Sequence, residues 1–169
     1  MRGKWATGIE PRYFTWVIKG RLAISERPGG YARNHRKVRR QEEIIWLREQ
    51  GFSRVVSLLA SPHNLYAYDE LGVKWSHFPL GHLDDGSISL TEIFENLRTW
   101  MASGEKLLLH QEELADRVMG VAAGFLVWAL LVPSAPQAIT ALEQITKMQM
   151  GPPGRELVAM ADRLKAAKG

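Results

Sequence analysis

Lys106-Leu107-Leu108-Leu109-His110-Gln111-Glu112-Glu113-Leu114-Ala115-Asp116-Arg117 is the stretch on which the reading of this chain turns. Lys106 to Leu109 is a short apolar run of the kind that forms a buried strand. A polar turn from His110 to Asp116 follows. From Arg117 the chain becomes a long apolar helix, Val118 to Val132 being interrupted only by Gly120 and Gly124. Strand, turn and helix in that order bring the carboxyl end of a strand to a helix N-terminus, which is where an anion site is expected.

Working outward, the same alternation recurs. Phe14 to Ile18 and Leu22 to Ser25 are β-rich runs separated by Lys19-Gly20-Arg21, the pattern of a hairpin. Val38 to Gln50 carries helical spacing in Val38, Ile44, Ile45 and Leu47, with Gly51 as its stop. Arg54 to Leu59 reads as a strand buried on both faces, Asn64 to Leu71 as a short helix closed by Gly72, and Val73 to Leu80 as a further strand. A polar loop, Gly81 to Ser89, precedes a helix that Ser89 or Thr91 would cap. Pro133-Ser134-Ala135-Pro136 introduces another helix up to about Met150, and a final helix spans about 153–167. Strands alternating with helices predict an α/β fold, a central mainly parallel sheet of about four to five strands flanked by helices. No repeat or linker divides the 169 residues, so one domain is expected.

The composition, 46% hydrophobic and 24% charged, suits a core-forming globular chain. There is no cysteine, which excludes disulfides, thiolate metal sites and a cysteine nucleophile. The longest apolar stretch, fifteen residues, is too short to cross a bilayer, and no signal-peptide pattern follows Met1-Arg2-Gly3-Lys4-Trp5. A cytoplasmic protein without membrane attachment is the expectation. The net charge of +4 is concentrated: Arg33, Arg36, Lys37, Arg39 and Arg40, with His35 among them, form a run without an acid. Outside that run the balance is 17 cations against 18 anions. The patch is either a solvated approach to a helix or a contact surface for a protein or an acidic ligand, with nucleic acid the less favoured partner.

The frame His110 to Arg117 resembles the dual-specificity branch of the protein tyrosine phosphatase superfamily. In that family a strand ends in His-Cys, five residues cradle phosphate, and Arg opens a helix. The flanks resemble it too, in order: Gly20-Arg21-Leu22-Ala23, Gly51 before Arg54-Val55-Val56-Ser57-Leu58, His77-Phe78-Pro79 before an Asp-bearing loop, and Pro133-Ser134-Ala135-Pro136-Gln137-Ala138-Ile139. The resemblance covers roughly residues 14–150 and implies the phosphatase fold. It places Gln111 where the family has its nucleophilic cysteine, Leu114 at the glycine and Val118 at the hydroxyl residue after the arginine. His110 and Arg117 match the family, and either Asp84 or Asp85 corresponds to its general acid.

These replacements point to a degenerate site. An amide nitrogen, its lone pair delocalised, cannot replace a thiolate as nucleophile. Glu112, Glu113 and Asp116 against Arg117 leave the loop a formal −2. One carboxylate about 5 Å from a phosphate charge repels it by about 3 kcal/mol at an effective dielectric of 20. Inorganic phosphate and phosphotyrosine are therefore expected to bind poorly or not at all. We expect a pseudophosphatase that acts as a binding or regulatory module through Gln111 to Asp116 and the basic patch, with no cofactor and no metal. Three further readings stand beside it. Glu112 or Glu113 occupies the former phosphate position and closes on Arg117; His82, Asp84, Asp85, His110, Glu112, Glu113 and Asp116 converge on a metal; or these carboxylates support cysteine-independent acid/base chemistry. His63, Tyr66 and Tyr68 follow a strand end, and either line the same mouth or are exposed loop aromatics.

Overall fold

The computed structural model describes residues 8–29, 37–59, 65–80, 86–112 and 114–168. Five strands and six helices are described among them: β1 (Thr15–Ile18), β2 (Leu22–Ser25), α1 (Lys37–Glu49), β3 (Arg54–Ser57), α2 (Tyr66–Glu70), β4 (Lys74–His77), α3 (Gly86–Ala102), β5 (Leu107–His110), α4 (Asp116–Trp128), α5 (Ala135–Thr146) and α6 (Pro152–Lys168). The chain divides into two compact units, residues 1–79 with 105–114, and residues 80–104 with 115–169.

The first unit holds the whole sheet, in the order β1-β2-β5-β3-β4. β1 and β2 form the antiparallel hairpin, turned at Gly20, whose φ of +77° is a conformation that costs glycine little. Every other pairing is parallel. The apolar run Leu107-Leu108-Leu109 lies in the central strand and is fully buried, as expected of a strand covered on both faces. Ala23, Val55 and Leu108 pack in one cluster with Ile44 and Leu47 of α1 and with Leu65, Ala67 and Tyr68 around α2. At its margin Trp16 stacks on Phe52 at 5.4 Å, Phe14 meets Trp46 edge-on at 5.0 Å, and the Lys106 ammonium sits over both stacked rings.

The second unit is helical. α4 is buried from Val118 to Trp128, and its glycines are where α6 lies against it. A Cβ on Gly120 would fall 2.7 Å from the Gly154 carbonyl oxygen, and one on Gly124 would fall 3.0 Å from Cβ of Ala161. Neither approach leaves ready room for a larger side chain. Phe94 of α3, Phe125 and Trp128 make a ring cluster with centroids 5.5 to 6.3 Å apart, and Arg98 covers the Trp128 face. Ser134 caps α5 through the Gln137 amide, with proline in the first turn.

Several boundaries depart from the sequence expectation: α4 ends at Trp128 and not at Val132, and α5 ends at Thr146 and not at about Met150. α3 begins at Gly86, so Ser89 and Thr91 lie inside it instead of capping it. Serine and threonine are tolerated in a helix interior, so a cap-forming residue marks a start only when the preceding residues refuse the helix. No described helix is long and apolar enough to cross a membrane.

Candidate functional site

The site is built on the carboxyl edge of the sheet. Register places Ser25 of β2, His110 of β5 and Ser57 of β3 side by side, with His77 of β4 beyond them. Each strand in this row therefore ends on a polar side chain, and each of these side chains bonds the chain as it leaves the sheet. Ser25 Oγ donates to the Glu26 carbonyl at 2.8 Å. Ser57 Oγ accepts from the Leu59 amide at 3.4 Å, and the His77 ring reaches the Leu59 carbonyl at 2.6 Å. The row thus fixes the first residues of the chain beyond β2, β3 and β5.

His110 is fully buried. Its Nδ1 lies 3.0 Å from the Gln111 carbonyl oxygen. A carbonyl can only accept, so Nδ1 carries the hydrogen and Nε2 of the neutral ring is an acceptor. Burial pushes the pKa of the ring down to about 4, and the positive charge of Arg27 and the neighbouring His77 push the same way, against the Gln111 hydrogen bond. His110 is therefore neutral at physiological pH. In the same unit the Arg27 amide donates to the Glu112 carbonyl at 3.3 Å, pinning the loop backbone to the exit of β2.

Of the predicted loop residues, Gln111 is half-buried, the Glu112 side chain is exposed and Leu114 is buried. Glu113 lies outside the described residues, as do His63, His82, Asp84 and Asp85. Five residues, Gln111 to Ala115, connect β5 to α4, which opens on Asp116, one residue before the Arg117 of the expected frame.

Within the second unit Ala115, extended, precedes α4, and Asp116 occupies its first turn, where a carboxylate is favoured by the helix dipole. The Asp116 carboxylate is engaged: Oδ1 accepts from the Gly151 amide at 2.9 Å, tying the start of α4 to the start of α6. The Arg117 guanidinium donates to the Leu80 carbonyl at 3.2 Å. The hydrogen bond it makes within this unit thus goes to a carbonyl and not to a carboxylate. Val118 is fully buried. Among the described residues no three histidines, aspartates or glutamates stand close enough to hold a metal ion.

The basic patch is divided. Arg33, His35 and Arg36 lie outside the described residues. Lys37 is exposed, Arg39 is held by Glu43 at 2.6 Å, and Arg40 is buried at 7% exposure, its guanidinium meeting the Tyr66 hydroxyl at 3.3 Å and the Tyr66 ring at 5.8 Å. Glu43, buried and also accepting from the Gly29 amide, has its pKa raised by burial, which outweighs both partners. Tyr66 is exposed, whereas Tyr68 is buried close to Arg27 and Arg40. Tyr68, expected from sequence either to line the mouth or to be an exposed loop aromatic, is thus buried, whereas Arg27 was not singled out from sequence as a neighbour of His110. The available signal was position: Arg27 follows the end of a strand predicted to lie in the sheet.

No family model matches the sequence, and no curated protein matches it. Solved structures do. Tk-PTP in its active form aligns with a TM-score of 0.72 at 18% identity, over 89% of this chain and 97% of that one. A kinase-associated phosphatase whose catalytic-site cysteine is replaced by serine aligns with a TM-score of 0.74 at 22% identity, over 93% and 97%. The core catalytic domain of a PP-IP phosphatase from S. cerevisiae, in complex with citrate, aligns with 0.66 at 14%, over 95% of each chain. The chain therefore has the α/β fold of the dual-specificity phosphatases, a five-stranded, mostly parallel sheet with flanking helices.

Proposed function

We propose that this chain is a catalytically inactive member of the dual-specificity phosphatase group, a pseudophosphatase that serves as a binding or regulatory module. The observation that carries the reading is Gln111. It follows the last residue of the central strand, the place of the nucleophile in the family's frame, and no cysteine exists anywhere in the chain to substitute for it. A phosphoryl-enzyme intermediate needs a nucleophile with an available electron pair, and a primary amide has none of comparable strength. Two further replacements support the reading. Leu114 brings a bulky side chain where the family's glycine lets backbone amides approach phosphate, and buried Val118 supplies no hydroxyl for a leaving thiolate. A protein or acidic ligand is the partner this reading expects, met through the loop and through Lys37 and its neighbours. The test is Gln111→Cys offered a generic aryl phosphate. The variant stays inactive, because the leucine, the valine and the acidic charges remain; turnover by it would show that the phosphate cradle is intact.

A further inference from the structure

Large apolar side chains stand exposed at both ends of α5: Leu130 and Leu131 before it, Ile145 and Met148 at its far end. Leu130 is the most exposed of them, at 74%. The Leu131 amide donates to the Leu126 carbonyl at 2.9 Å and the Leu130 amide to the Val127 carbonyl at 3.1 Å, the paired bonds that close a helix through a left-handed residue. Glycine is the usual occupant of that position, yet a leucine holds it here at a φ of +63°. The chain thus presents an apolar side chain to water where glycine would fold more easily.

Between these ends α5 turns an uncharged face outward. Pro136, Gln137, Thr140, Ala141 and Gln144 line an open groove of about 270 Å³. From Leu130 to Thr146 the one charged residue is Glu143, whose carboxylate accepts from the Met150 amide and from Arg155. In a chain that is 24% charged, an exposed face with no free charge and with apolar ends has the character of an interface centre.

Charge and symmetry select the occupant. Two copies that each carry +4 repel through their charged surfaces and approach most easily where neither is charged. A strongly charged partner gains nothing at this face. Its polar groups suit themselves: a glutamine amide both donates and accepts, so Gln137 and Gln144 can bond the same residue types of a second copy. Its apolar ends do the same. Two α5 helices packed antiparallel bring Leu130 and Leu131 of one copy to Ile145 and Met148 of the other, twice over, as a two-fold axis requires. Twelve residues of helix are about 18 Å long, so the contact is small beside the roughly 800 Å² per partner of a standard interface.

We propose that the outward face of α5, with the leucine pair before it, is the surface through which two copies of this chain form a reversible two-fold dimer. The dimer stands whether or not the Gln111 loop has any activity. Sedimentation equilibrium of the whole protein, from about 1 µM to about 500 µM, tests it across the affinities expected of a small contact. The mass rises with concentration from 19.1 kDa toward twice that value. Leu130→Gly associates at least about tenfold more weakly, yet melts no lower in dilute solution, because glycine suits the left-handed position. Thr140→Arg and Thr140→Glu, at the middle of the exposed face, are each monomeric alone and associate when mixed, since opposite charges then face each other across the axis. A wild type that stays at 19.1 kDa throughout, variants that associate as the wild type does, or a mixture that stays monomeric overturns the proposal.

Discussion

Acidification titrates His110 as the protein unfolds, and the size of that effect follows from its burial. The ring has an ordinary pKa of 6.5 and about 4 in the folded chain. The folded state holds it neutral, whereas the unfolded state takes up a proton as the pH falls below 6.5. Stability from this group is therefore complete above pH 6.5, declines as the pH falls, and is lost by about pH 4. At about 1.4 kcal/mol per pH unit the loss across that window is about 3 kcal/mol. Many carboxylates also titrate below pH 5, so the comparison is with His110→Leu, which lacks the group and keeps the others. The variant is the less stable protein at pH 7, since its Gln111 carbonyl loses a donor. Read from denaturant midpoints, the stability of the wild type relative to the variant falls by about 3 kcal/mol between pH 7 and pH 4, enough to close or reverse the gap. A gap that stays constant over this range refutes the reasoning. So does an imidazole titration midpoint near 6.5 in the folded wild type by NMR.

Gly120→Ala costs about 1–3 kcal/mol in thermal or denaturant melts, because its Cβ meets the Gly154 backbone at 2.7 Å and backbone cannot rotate aside. Gly20→Ala is the contrasting case: nothing lies within 4 Å of the new Cβ, so the cost, about 1 kcal/mol, comes from the positive φ alone. Asp116→Ala removes the acceptor of the Gly151 amide and lowers stability by about 1–2 kcal/mol, seen as faster amide exchange at the start of α6.

The strand and helix around the loop were readable because each has an extreme pattern: three buried leucines, then an apolar run broken only by the two glycines that α6 packs against. The helix boundary at Gly86 was not readable, because Ser87, Ser89 and Thr91 are all cap-forming residue types and none of them is decisive. The row Ser25, His110, Ser57 and His77 depends on strand register, which no single strand encodes. Arg40 was hidden by its company. It reads as one cation in a basic run, yet it stands four residues before Ile44 and seven before Leu47, on the face of α1 that enters the core. Helical phase, applied to a charge as it is to a leucine, would have separated it from Lys37. The loop carboxylates were legible as residue types only, and the engagement of Asp116 by the start of α6 required the tertiary fold.

Turnover of a generic aryl phosphate by the purified wild-type protein, followed across pH 5 to 8, tests the central claim most directly. The account predicts release of the aryl alcohol at the buffer rate, unchanged by protein concentration. Hydrolysis that rises in proportion to the protein and saturates with substrate would contradict it.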